Sequence, residues 1–183
     1  MTPLPRVTEI LAGVGLGPDF SSVPPAMLEY ARERGKAVHA AIEADVYKYL
    51  DESALSEDVR VRLDAYRKFV RESGYQATRT EIEVVSATWR YRGHPDSIGW
   101  MGERRVVLDW KASDAVALDP AALQLTAYRV AWNEANPCAP IAAAAVVQLC
   151  GDGSFRFHEV EPAEPLWLAS VMVYHAKQGR LAA

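Results

Sequence analysis

Two aspartates and a lysine, Asp96, Asp109 and Lys111, stand at spacings that strand geometry can bring together. Between them, Met101-Gly102-Glu103-Arg104 puts glycine at the first central position of a two-residue hairpin loop, where a type II′ turn requires it. A hairpin closed there sets Met101 opposite Arg104 and, counting outward, Asp96 opposite Asp109, with both side chains on one side of the sheet. Side chains alternate along a strand, so Lys111 shares that side, roughly 7 Å from Asp109. Opposed carboxylates repel and need a compensating cation, either Lys111 or a bound metal. Oxygen ligands from Asp96 and Asp109, with the backbone carbonyl of Trp110 as a further donor, suit Mg²⁺ or Mn²⁺, which keep waters for chemistry. The same three residues would also serve as a salt-bridged surface hairpin, so the residues around them must separate the two readings.

Those surroundings are informative. Gly35-Lys36-Ala37-Val38-His39 and Glu43 lie in one helical pattern, with His39 and Glu43 four apart and therefore on one face. Gln124 and Tyr128 repeat that spacing later in the chain. Taken in order, these residues resemble the PD-(D/E)xK nuclease superfamily, in its RecB-type and phage-type exonuclease branch. The pattern there is GxxxH, a Glu on the first strand, GxxD, (D/E)xK and QxxxY. Here it reads GKAVH at Gly35 to His39, TEIEV around Glu81, GHPD at Gly93 to Asp96, DWK at Asp109 to Lys111, and QLTAY at Gln124 to Tyr128. The resemblance covers residues 28 to 132, and the preceding VTEIL and ARERG segments are similar to phage members of the branch.

The resemblance implies that His39, Asp96 and Asp109 hold the metal, with Glu81 a further ligand, direct or through water. Glu83, two residues on and on the same face, is a weaker substitute. Lys111 would position or activate the attacking water. Gln124 would orient Lys111 or the substrate, and Tyr128 would support the cleft wall or touch a phosphate. One or two ions would bind. His94, inside GHPD, is assigned no contact, and Arg90, Arg92, Arg104 and Arg105 read as solvated strand-edge charges rather than phosphate grips.

The elements that must position these groups follow from periodicity. A short apolar segment, Val7 to Leu16, and a loop from Gly17 to Pro25 lead to a helix predicted over Pro25 to Leu50, with Pro25 in its first turn. A second helix is expected over Glu57 to Ser73, with Ser56 as N-cap and Gly74 as stop. Strands are expected over Thr78 to Ser86, over Thr88 to Met101 with a break around Gly93 to Pro95, and over Arg104 to Lys111. Asp119 and Pro120 read as N-cap and first residue of a helix running to Glu134. Strands over Ile141 to Leu149 and Ser154 to Val160 and a helix over Glu164 to Gln178 complete the order. This describes one α/β domain over residues 1–183 with a mixed central sheet flanked by helices, a restriction-endonuclease-like core. Its N-terminal helical part spans 1–75, its catalytic strands and following helix 76–135, and its C-terminal hairpin and helix 136–183.

Composition narrows the function classes. The 183 residues are 50% apolar and 24% charged, enough for one domain with its own core. The longest apolar run, Ile141 to Val147, is too short to cross a bilayer, and the N-terminus lacks a signal-peptide pattern. The expected setting is the cytoplasm of a bacterium or of a phage-infected host, without membrane partners. Cys138 and Cys150 are the only cysteines, which excludes the four-cysteine iron–sulfur cluster found in some members of the resembled branch. No GxxxxGK(S/T) loop is present, so ATP-driven unwinding would fall to a helicase or recombination partner. The net charge of −4 is unusual for a DNA binder, although residues 60–79 carry six cations against two carboxylates. That segment reads first as a solvated helix face.

These observations predict a Mg²⁺- or Mn²⁺-dependent nuclease acting on DNA, with exonuclease action on single-stranded or terminal DNA inherited from the resemblance. A structure-selective or nicking endonuclease and a catalytically silent nucleic-acid-binding or assembly subunit are the alternatives.

Overall fold

The computed structural model describes residues 3–113 and 115–179, so the ends of the expected 1–183 domain and Asp114 lie outside the described residues. Helices α1 (Val7–Val14), α2 (Pro25–Val46) and α3 (Glu57–Ser73) come first. Strands β1 (Gln76–Thr80), β2 (Val84–Ser86), β3 (Tyr91–Gly93), β4 (Ser97–Met101) and β5 (Arg104–Lys111) follow. Helix α4 (Leu118–Ala135), strands β6 (Ala143–Leu149) and β7 (Phe155–Val160) and helix α5 (Glu164–Lys177) complete the chain.

The Gly102 turn organises the sheet. Gly102 takes φ 58°, where a side chain would be strained, and β4 pairs with β5 from Met101 opposite Arg104 to Ser97 opposite Leu108. That is the register the turn predicts. The five-stranded sheet has the order β1-β4-β5-β6-β7; β5 and β6 are parallel and the other pairs antiparallel. Parallel pairing demands a crossover, and α4 supplies it. β2 and β3 form a separate two-stranded sheet.

Alternation along β5 sends its side chains to two cores. Val107 joins Ile10, Leu125 and Trp167 of the α1, α4 and α5 layer, whereas Val106, Leu108 and Trp110 pack with Val38, Leu63 and Phe69 of α2 and α3 — a sheet between two helical layers. Asp109 and Lys111 fall in phase with Val107, on the α4 side.

Several boundaries differ from expectation for identifiable reasons. The apolar segment at Val7 is a helix whose Val7, Ile10 and Leu11 bury one face, and Gly15 ends it in the left-handed conformation. Helix α2 stops four residues before Leu50, because Lys48 turns left-handed (φ 63°) and the Tyr49 N–H returns to the Ala44 carbonyl at 3.0 Å. The strand expected over Thr78 to Ser86 is broken at Glu81, also left-handed at φ 50°, and its halves enter different sheets. Helix α4 begins at Leu118 with Ala117 as N-cap; Asp119 sits in the first turn, where its carboxylate faces the positive end of the helix dipole. Ser56 occupies the N-cap of α3 but its side chain makes no capping hydrogen bond. No described helix is long and apolar enough to cross a membrane.

Candidate metal centre

The end of β5 is where the two helical layers meet. From the α2 side, His39 reaches the strand and its Nε2 lies 3.0 Å from the Trp110 carbonyl oxygen. Its Nδ1 then faces Glu81 Oε1 at 3.4 Å and Asp96 Oδ1 at 3.6 Å. One ligand atom from each of His39, Glu81 and Asp96 lies within 4.8 Å of the others. The left-handed Glu81 is tied to the same place by its backbone, whose N–H donates to the Asp96 carbonyl at 3.2 Å. Glu81 therefore extends the β1–β4 pairing by one step before the chain leaves for the small sheet.

Asp96 stands just outside β4, so it is not a ladder partner of Asp109. Instead its Oδ2 accepts from the Trp110 N–H at 2.7 Å, which leaves Oδ1 directed at His39. Asp109, 2% exposed, holds the Lys111 ammonium: Nζ lies 3.0 Å from Oδ1 and 2.8 Å from Oδ2. Only the Oδ1 contact has hydrogen-bond geometry, and the buried Oδ2 has no hydrogen-bond partner among the described residues. An unsatisfied buried carboxylate oxygen is costly unless a cation is near, so beyond Lys111 this atom fits a metal as well.

The titration behaviour follows from that crowding. Burial alone would depress His39, but the Asp96 charge, with Glu81, the Trp110 carbonyl and Asp109, raises it to about 9. Burial pushes Asp96 up to about 7, against the pull of His39 and with Asp109 adding to the rise. For Lys111 burial opposes the charge, and Asp109 and Asp96 outweigh it, so the ammonium persists above its ordinary range. Three carboxylates face two cationic side chains, leaving an excess of negative charge. A hard divalent cation bound by carboxylate oxygens and one imidazole suits that donor set.

Other expected residues take places that refine their expected duties. The Trp110 carbonyl, expected to offer an oxygen ligand, accepts from His39 and fixes which imidazole nitrogen faces the carboxylates. Gln124 donates to the Tyr128 hydroxyl at 2.7 Å, while the orientation of Lys111 falls to Asp109. The Tyr128 ring fills the space that a Cβ on Gly93 would occupy at 2.3 Å, which is why the GHPD segment opens with glycine. Glu83 pairs with Arg92 at 2.9 Å and lies 3.8 Å from His94, so neither Glu83 nor His94 joins the three ligand atoms. Arg104 pairs with Glu159, and Arg105 lies over the Trp100 ring at 4.6 Å and donates to the Ala139 carbonyl. On α3, Arg67 binds Asp45 and Glu52, Arg60 binds Glu57, and buried Arg62 binds Asp58. Three of the six cations of the basic segment are thus held in ion pairs within the chain. Sequence reasoning passed over Gln148, which neighbours Lys111 across β6 and donates to the Ser113 carbonyl at 2.8 Å. Its signal was a single amide in the otherwise apolar run of β6.

No protein-family model and no curated protein matches the chain. Among solved structures, the fold is similar to the alkaline exonuclease LHK-Exo from Laribacter hongkongensis, with a TM-score of 0.51 at 11% identity over 95% of this chain and 87% of that one. LHK-Exo in complex with dAMP gives a TM-score of 0.50 at 13% identity over 96% and 88%. The chain therefore has a mixed α/β fold, a five-stranded sheet flanked by helices, of the kind that exonuclease adopts.

Proposed function

We propose that this protein is a Mg²⁺- or Mn²⁺-dependent deoxyribonuclease that hydrolyses phosphodiester bonds, digesting single-stranded or terminal DNA. The observation that carries the reading is the convergence of His39, Glu81 and Asp96 ligand atoms within 4.8 Å, beside an ammonium anchored on buried Asp109. The similarity in fold to an alkaline exonuclease, one of whose structures contains dAMP, supports a nucleotide-containing substrate.

In this reading Asp96, Glu81, Asp109 and the Nδ1 of His39 hold the metal, and the Trp110 carbonyl keeps His39 in the required tautomer through Nε2. A divalent ion there supplies a bound water of lowered pKa and polarises a phosphoryl oxygen. Lys111, held by Asp109, presents its remaining N–H donors to the attacking water or to charge developing on phosphate. Tyr128, steadied by Gln124, forms the wall beside Gly93.

The test is release of nucleotides from labelled DNA with Mg²⁺ or Mn²⁺. Asp109→Ala and Lys111→Ala should each lose roughly 100-fold or more in kcat, and a chelator should abolish wild-type activity. Equal rates for all three proteins would sink the mechanism. A circular single-stranded substrate addresses end dependence: its cleavage would replace the exonuclease reading with a nicking endonuclease.

A further inference from the structure

Glycine inside a helix destabilises it relative to alanine, so such a residue calls for a local reason. Of the eleven glycines in the chain, five take a left-handed backbone and five others have protein atoms within 4 Å of where a Cβ would stand. Gly35 has neither reason: it lies in the interior of α2 without a positive φ, and nothing among the described residues lies within 4 Å of its missing Cβ. The fold itself gains nothing from a glycine there.

Its position supplies an external reason. Gly35 is one turn before His39, about 6 Å along the helix axis, and at 100° per residue Arg32, Gly35 and Lys36 all fall within about 60° of His39. The approach to the metal centre along α2 is therefore a bare patch of helix backbone at Gly35, bordered on one flank by Arg32 and Lys36. Among the described residues Arg32 and Lys36 pair with exposed neighbours on their own helix, Glu29 at 3.8 Å and Glu33 at 2.6 Å, pairs that contribute little and can be exchanged for another anion.

We infer that Gly35 is a substrate-contact position, where the sugar–phosphate backbone of the strand being cut lies directly against α2 beside Arg32 and Lys36. This rests on the nuclease reading and adds to it a path by which the strand reaches the centre. A side chain at residue 35 would lift the strand from the helix without touching the ligands of the metal.

Gly35→Ala and Gly35→Leu test this, with Ala37→Leu on the opposite face of α2 as control. Gly35→Ala should raise Tm by about 2–4 °C, since a helical alanine meets no obstruction. Steady-state cleavage of a single-stranded oligonucleotide with Mg²⁺ should show KM raised roughly tenfold for Gly35→Ala and about 100-fold for Gly35→Leu. The rise in Tm on adding Mn²⁺, which reads the metal centre, should match wild type in both, and Ala37→Leu should leave KM unchanged. Unchanged KM in both Gly35 variants, with wild type active, would overturn the contact and leave the nuclease reading standing. A change in sedimentation of Gly35→Leu with KM unaltered would overturn it in favour of a contact with a second copy of the chain. Absence of cleavage by wild type with either metal would remove both.

Discussion

Glu81, Asp96 and Asp109 set three carboxylates against His39 and Lys111, and burial opposes the charge of Asp96. Asp96→Asn would leave two carboxylates facing two cations and can keep the acceptor for the Trp110 N–H through its amide oxygen. The metal-free variant should therefore unfold at or above the wild-type temperature. Wild type should gain about 2.7 kcal/mol of stability at a Mn²⁺ concentration a hundredfold above Kd, and the variant should lose nearly all of that gain. Thermal unfolding with and without Mn²⁺ measures both. A variant that is destabilised without metal and still stabilised by Mn²⁺ would remove Asp96 from the ligand set.

The small β2–β3 sheet meets α4 through the Tyr91 hydroxyl, which donates to the Ala127 carbonyl at 2.8 Å, and through Glu134, whose carboxylate accepts from Ser86 Oγ at 2.5 Å, from Thr88 N at 2.9 Å and from Thr88 Oγ1 at 3.0 Å. Burial would raise the Glu134 pKa, but those hydrogen bonds prevail and hold it below the ordinary value near 4.5. A carboxyl depressed by folding stabilises above its unfolded pKa and loses that contribution as pH falls through its folded value. Glu134→Gln should thus lower stability by about 0.5 kcal/mol at pH 7, given its exposure, and the gap should close below about pH 4. Denaturant titrations across that range check the sign. At this scale much was legible in the sequence. Glycine at residue 102 fixed the β4–β5 register and Gly74 the end of α3, because each turn has local steric requirements. The break at Glu81 was not legible, since nothing in a glutamate announces a left-handed backbone. Nor could spacing alone bring His39 to Trp110 across 71 residues; only the resemblance placed His39 and Glu81 in one site.

The sheet carries a core on each face, and the candidate centre lies at the end of the strand that both cores share. Damage remote from that strand end should therefore be separable from the chemistry. Trp167, fully buried on α5 against Tyr91, shares the α4 face of the sheet with Asp109 and Lys111 but packs at its α5 side; Trp167→Ala should cost about 3–5 kcal/mol while kcat per folded molecule stays near wild type. Circular dichroism melting beside cleavage assays on the folded fraction would reveal a coupled loss if that separation fails. The parallel pairing of β5 with β6 has a consequence in time. Every proposed ligand has been synthesised once the ribosome passes Lys111, yet β5 then lacks the neighbour on which six of its residues pair, since β6 begins 32 residues later at Ala143. A chain released before β6 would hold the proposed ligands without the strand that completes the sheet around β5.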